Sequence, residues 1–307
     1  MTAPGRAVAA SPRHNLLGAI HMVVGLFLFG VMEVLIKWKV ADYPVHELVF
    51  FRASFGLIPC FVMIWQAGGI STLRTRRPVE HFLRSLVGLS AMWLVFSAYE
   101  TMNLADVGAI LFAAPLFLTA MAGPVLGEAV GARRWSAVLV GFVGVLLILK
   151  PGTTALQPAA VGALAAAFLF AVAMIFMRRL GTTESAATIT FYLSVFIMLV
   201  SLVLIAMLGW VAPTPADFLT LAMIGLIGGT AQLFLTQSLR LGEAAVVSPL
   251  RYSSIIWSVL FGYMFWGALP DAMVVAGLAI VISSGLYILH RETRLAIIQR
   301  RGDLPER

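Results

Sequence analysis

The chain has 307 residues, one cysteine, few charges and no catalytic signature. Cys60 alone permits no internal disulfide and no cysteine-built metal site. His14, His21, His46, His81 and His290 fall in separate segments and form no local metal-ligand spacing. No Walker A sequence occurs, which argues against ATP-driven work by this chain. No embedded nucleophile–base pair is visible, so the chain does not read as an enzyme, and no cofactor or metal is expected. Charged residues make up 11% of the sequence, where a soluble domain carries roughly 25%. The longest charged connection, Leu73 to His81, is only a loop, so no soluble domain separates the apolar runs.

What remains is apolar sequence: 61% hydrophobic residues and a mean hydropathy of +0.97. A membrane helix needs about 20 mainly apolar residues. Ten candidate spans result: Leu16–Ile36, Val45–Gln66, Phe82–Tyr99, Val107–Leu126, Trp135–Leu149, Val161–Met177, Ile189–Leu208, Phe218–Leu239, Ala244–Trp266 and Ala272–His290. Breakers such as Tyr43-Pro44, Pro151-Gly152 and Pro213-Thr214-Pro215 mark the connections. The chain is therefore read as an all-α polytopic membrane protein.

The 21 basic residues alternate between rich and poor connections. Sixteen lie at the two termini and in the even-numbered connections, three (Lys37, Lys39, Lys150) in the odd ones, and Arg52 and Arg251 inside spans. Under the positive-inside rule both termini are cytoplasmic. The net charge of +7 sits in short loops and at the tail, where it faces anionic lipid rather than nucleic acid. Residues 1–15 read as a disordered cytoplasmic arm and 293–307 as a cytoplasmic tail.

The halves resemble each other. Glu100-Thr-Met-Asn-Leu-Ala-Asp106-Val-Gly precedes Gln237-Ser-Leu-Arg-Leu-Gly-Glu243-Ala-Ala by 137 positions, each at the junction of the third and fourth helices of its half. A proline follows in the next helix, Pro115 and Pro249, and each half ends on a Gly-rich helix. Five helices per half is odd, so the two repeats, 16–152 and 155–292, insert with opposite topology, the architecture of many alternating-access carriers.

Four pieces carry a family resemblance: Ala98-Tyr-Glu-Thr-Met-Asn-Leu-Ala-Asp-Val-Gly-Ala, Pro115 through Gly127-Glu128, Gly141-Phe-Val-Gly-Val-Leu-Leu-Ile-Leu-Lys-Pro-Gly152, and Gly242-Glu-Ala-Ala-Val-Val-Ser-Pro249. Over about residues 16–292 the chain resembles the EamA-like branch of the drug/metabolite transporter superfamily. The resemblance implies a bacterial inner-membrane carrier of ten helices in two inverted five-helix repeats. The ending, with Ser248-Pro-Leu-Arg-Tyr-Ser-Ser and Gly285-Leu-Tyr-Ile-Leu-His-Arg-Glu292, looks like importers assigned to S-adenosylmethionine or riboflavin. The expected function is secondary transport of a small metabolite by alternating access, such as a flat-ring or zwitterionic solute or an amino acid. Efflux of amphiphilic drugs or metabolites, or a non-transporting scaffold, is the alternative. The expected partners are that solute and the bilayer, with the protein a monomer or homodimer. One departure stands out: Gly127-Glu128 has no carboxylate counterpart at Phe265-Trp266-Gly267.

Ionisable groups in hydrocarbon are costly and usually face a bundle interior or an aqueous path. Glu33 lies four residues before Lys37, on one helix face near the outer end, as a vestibule carboxylate or as half of an interfacial pair. Arg52 lies about 10 Å inside the second span and needs a carboxylate from another helix, Glu33 or Glu100, or else binds an anion. Glu100, next to Tyr99 and near Trp93, is a proton or cation site or an ordinary interfacial residue. Arg251, two residues after Pro249, binds a ligand or pairs with Glu243 or Glu128. Tyr252, Tyr192 and Gln232 complete the substrate-binding or gating candidates, each with core packing as its alternative. Gly141, Gly144, Gly225, Gly228, Gly229, Gly277 and Gly285 are assigned to close helix packing.

Overall fold

The computed structural model describes residues 12–126, 131–150 and 158–300. Its α-helices are α1 (Pro12–Lys39), α2 (Val45–Gln66), α3 (Pro78–Thr101), α4 (Leu104–Leu111), α5 (Ala114–Leu126), α6 (Ala132–Leu149), α7 (Pro158–Leu180), α8 (Ala186–Leu208), α9 (Pro215–Leu241), α10 (Ala244–Val247), α11 (Ser254–Trp266) and α12 (Ala272–Arg300). Two 3-10 turns cover Ile70–Leu73 and Pro249–Ser253. The protein is all-helical. α4 and α5 make the fourth span, and α10, the Pro249–Ser253 turn and α11 make the ninth.

Local chemistry sets the helix ends. Pro78 and Pro215 open α3 and α9, where a missing N–H costs nothing. The Ser185 and Thr214 hydroxyls cap α8 and α9 by accepting the N–H of Thr188 and Asp217. The interruptions follow the same logic. Pro115 lies in the first turn of α5, and Pro249 opens the 3-10 turn. Each proline lacks the donor that would continue the helix before it.

Several helices run beyond the apolar stretches read from sequence. α1 begins at Pro12, so residues 12–15 of the expected arm are helical, and residues 1–11 lie outside the described residues. α12 continues to Arg300, past the expected start of the tail at 293. α3 starts four residues before Phe82. Hydropathy registers only the hydrocarbon-buried part of a helix, whereas hydrogen bonding carries the helix on into the headgroup region. The ninth span was expected over residues 244–266 with Pro249 inside it. Nine described segments are long and apolar enough to cross a membrane, and the broken ninth span falls short of that length.

The main contacts join one half to the other. α1 packs on α9, and α3 packs on α7; α2 packs on α8 and α9, α6 on α12, and α11 on α4. Exchanging the halves turns the first pairing, spans one and eight, into spans six and three, which is the second. The pairings of spans two with seven, four with nine and five with ten map onto themselves. This is the pattern two inverted five-helix repeats produce. At the α6–α12 contact two glycines meet backbone to backbone. A Cβ on Gly144 would stand 2.6 Å from the Gly277 carbonyl oxygen, and one on Gly277 would stand 2.5 Å from that of Gly144. With ten spans, both ends of the chain lie on one face, called here the terminal face, opposite the far face.

Candidate functional site

Glu33 sits on the face of α1 that meets α3 and α11, beside the hydroxyls of Tyr99 and Ser258, the latter donating to the Ser254 carbonyl (3.2 Å). Tyr99 is 1% exposed. Lys37, one turn on, does not pair with Glu33. Its ammonium donates to the carbonyl oxygens of Tyr99 (3.0 Å) and Met102 (2.7 Å), closing the end of α3, and lies 5.6 Å from the centre of the Trp266 ring. The i, i+4 spacing put the two charges on one face correctly, but each serves a different neighbour.

Arg52 packs on Gly228 of α9 beside Met32: a Cβ at 228 would stand 2.6 Å from the Arg52 Nε and 2.5 Å from the Met32 sulfur. Glycine is present because the guanidinium occupies the space a side chain would fill. Among the described residues no carboxylate lies within 4 Å of Arg52, which corrects the expectation of an ion pair with Glu33 or Glu100. Glu33 lies beside Tyr99 and Ser258. Glu100 is exposed in a groove of about 610 Å³ between the far ends of α3 and α7, lined by Leu94, Ser97, Thr101, Pro158 and Ala159.

The ninth span carries the densest set of unpaired donors. Arg251 is on the 3-10 turn inside the ninth span, with its side chain left exposed by the surrounding helices. No carboxylate within 4 Å pairs with it among the described residues, Glu243 included; Glu128 lies outside the described residues. Ser253 Oγ and Trp257 Nε1, one helical turn apart, are buried without a hydrogen-bond partner. The Tyr252 ring stacks on Phe112 at the α4–α5 break (5.3 Å), and its hydroxyl occupies the place of a side chain at Gly285. Tyr252 therefore wedges α12 against the fourth span.

The remaining candidates lie apart. Trp93 stacks on His46 at 6.5 Å, near the far face. Tyr192 donates to the Leu73 carbonyl (2.9 Å) near the terminal face, so its hydroxyl ties a loop instead of lining the centre. Gln232 is half-buried on α9, one turn from Gly228.

Three groups were missed in the sequence. Arg84 was counted with the loop arginines, but α3 begins at Pro78 and draws it two turns inside, where its Nε is buried without a partner. Glu47 is fully buried and accepts the Val211 N–H at 2.6 Å. Beside it, His46 donates to the Gly209 carbonyl (3.1 Å), and Asp217 receives Lys39 (2.5 Å) and the Tyr43 hydroxyl (2.9 Å). Glu184 joins the Thr75 hydroxyl and His81 on the terminal face, beside Thr188 bonded to the Thr72 carbonyl (2.8 Å). Glu47 and Glu184 are 137 positions apart, the offset between the repeats. They are the same latch, inverted. The offset was the signal that would have found them.

The model of the EamA-like transporter family matches residues 16–150 and again 157–289. The chain belongs to the EamA-like transporter family. It is a multi-pass membrane transporter and not an enzyme. Similar proteins include the riboflavin transporter of Rhizobium johnstonii, 27% identical over 291 residues, covering 94% of this chain and 96% of that protein. The S-adenosylmethionine uptake transporter of Rickettsia prowazekii is 29% identical over 282 residues, covering 90% and 94%. The pseudopaline exporter CntI of Pseudomonas aeruginosa is 30% identical over 270 residues, covering 86% and 93%. A solved crystal structure, described only as that of a protein, superposes with a TM-score of 0.62 at 18% identity over 92% of this chain and 98% of its own. That likeness concerns the fold.

The unpaired arginines acquire weight from their setting. An arginine at the centre of a membrane helix costs about 2.5–3.5 kcal/mol on insertion scales, and among the described residues no carboxylate lies within 4 Å of Arg52, Arg84 or Arg251. A transporter offers the compensation a scaffold lacks, a water-filled path and an occupant.

Proposed function

We propose that this EamA-like transporter carries a small metabolite by alternating access, through a path between Glu33 and Arg52 in the far half and Arg251 in the terminal half. One observation supports this above the rest: Arg52 and Arg251 lie in spans of opposite repeats, each about 10 Å in from its own face, with no carboxylate within 4 Å among the described residues. Structural charges are paired, whereas these two are left for an occupant. The inverted latches at Glu47 and Glu184 give each face its own closure, as two-sided access requires. Trp93, Glu100 and Tyr192 lie toward the faces and act, if at all, on entry and closure. Tyr252 and Gln232 flank the path. The basic loops favour a cytoplasmic terminal face, in a bacterial inner membrane.

The test is uptake by purified protein in liposomes, with riboflavin, S-adenosylmethionine, amino acids, organic acids and amphiphilic cations as candidate solutes. Saturable, protein-dependent uptake of any of these is expected, weakened by Arg251→Ala. Absence of saturable uptake for the whole panel refutes the carrier reading. An imposed proton gradient applied to the same vesicles tells proton coupling from exchange or facilitated movement.

A further inference from the structure

Among the described residues of the spans, three arginines lie more than one turn from a span end: Arg52, Arg84 and Arg251. Glu33 is the one carboxylate so placed; Glu47, Glu80, Glu100, Asp106 and Asp217 all lie within a turn of an end. The span interiors thus hold two positive charges in excess. Arginine does not lose its proton in proteins, so the excess cannot be relieved by titration.

The hydrogen-bond inventory has the same sign. The guanidinium of Arg251 and the Trp257 indole N–H are donors only, and Ser253 lies between them with its hydroxyl unpartnered. Glu33 already lies beside the Tyr99 and Ser258 hydroxyls. The unsatisfied capacity of the path is therefore for acceptors. A cationic solute would add to the excess charge, and a neutral ring would leave it uncompensated.

Depth adds a spacing. Arg52 is seven residues inside the far end of its span, and Arg251 is seven residues after the start of α10 at the terminal end. Each is about 10 Å in from its own face, leaving on the order of 10 Å between them along the membrane normal. A small molecule spanning that interval would meet one guanidinium at each end.

We infer that the solute is an organic dianion, with two carboxylates or a carboxylate and a phosphate at opposite ends, held by Arg52 and Arg251, while Arg84 adds attraction on the terminal side. This rests on the carrier reading. A zwitterion with one extra cationic group is accommodated only by engaging Glu33.

The experiment is uptake into liposomes of glutarate, adipate and glycerol 3-phosphate against butyrate, riboflavin and S-adenosylmethionine, with native protein, Arg52→Gln, Arg251→Gln and the corresponding lysine variants. Thermal labelling of Cys60 verifies that each variant is folded. The native protein is expected to take up a dianion saturably and to prefer it over butyrate at least tenfold. Arg52→Gln and Arg251→Gln are each expected to cut that preference tenfold, with lysine restoring part of it. A variant that lost only structure would reduce uptake of all solutes alike. Saturable uptake of riboflavin or S-adenosylmethionine with none of any dianion overturns the inference and leaves the carrier reading intact. Dianion uptake whose preference survives both glutamine variants overturns the assignment to these arginines. Absence of saturable uptake for every solute overturns the inference and the carrier reading together.

Discussion

Gly277→Ala tests the packing of the repeats at their tightest point. The added methyl would stand 2.5 Å from the Gly144 carbonyl oxygen, where ordinary Cβ contacts begin at 3.4 Å. The shortfall is about 1 Å against backbone, so no side chain can swing away, and α6 and α12 must separate. Overpacking of this kind costs about 1–3 kcal/mol. In a chain of this size each kcal/mol moves the midpoint by roughly 2–4 °C, so a loss of about 2–12 °C is expected. Gly144→Ala should do the same. The double variant should lose less than the sum, because one separation relieves both clashes. The protein contains its own reporter: Cys60, 1% exposed, reacts with a fluorogenic maleimide only as the fold opens. Gly162→Ala is the control. Its methyl meets only Leu94 Cδ2, at 3.7 Å, and alanine favours the helix over glycine by about 1 kcal/mol. Equal midpoints for Gly277→Ala and Gly162→Ala would refute the account of the α6–α12 contact.

Three further outcomes are expected. Glu47→Ala leaves the Val211 N–H without its acceptor and should cost about 1–3 kcal/mol in the same labelling assay, whereas Glu47→Gln retains an acceptor and should lose clearly less; equal losses would contradict the hydrogen bond. Gly285→Ala should destabilise by collision with the Tyr252 hydroxyl, and Tyr252→Phe should rescue it, with a coupling of about 0.5–3 kcal/mol; additive effects would remove the wedge. A cysteine at Thr183 should react with a membrane-impermeant maleimide only after cells are permeabilised, and one at Ala41 should react in intact cells; the reverse result inverts the proposed orientation.

The span count and the repeat were legible because both are one-dimensional: apolar length, charge sorting and the offset of 137 survive without coordinates. The partners of embedded charges were not legible. Arg52 was expected to find Glu33 or Glu100, or else an anion, and the depth of Arg52 and Glu33 agrees, but Arg52 packs beside Met32 and Gly228 while Glu33 faces Tyr99 and Ser258. Depth follows from position in a span, whereas facing depends on which helices α1 packs against. Arg84 shows a second failure. Its proximity to Arg74, Arg76 and Arg77 suggested a loop, yet a proline at 78 starts the helix early enough to carry it inside. Moving it leaves fifteen basic residues on the terminal side against three, so the orientation argument survives. Glu47 and Glu184 were overlooked because they lie where span ends meet loops, and composition there suggests only solvation.

The break in the ninth span bears on how the chain is made. α11 has 13 residues and is about 20 Å long, against a hydrocarbon thickness of about 30 Å. The turn before it carries Arg251. Such a segment does not commit to the bilayer by its own partitioning as it leaves the ribosome. Its Trp257 and Phe261 pack instead against Gly30 and Phe27 of α1, a helix synthesised long before. Acceptance of the ninth span is therefore an act of folding within the membrane, and substitutions in the first helix that leave its own hydropathy unchanged should still release the ninth to membrane quality control.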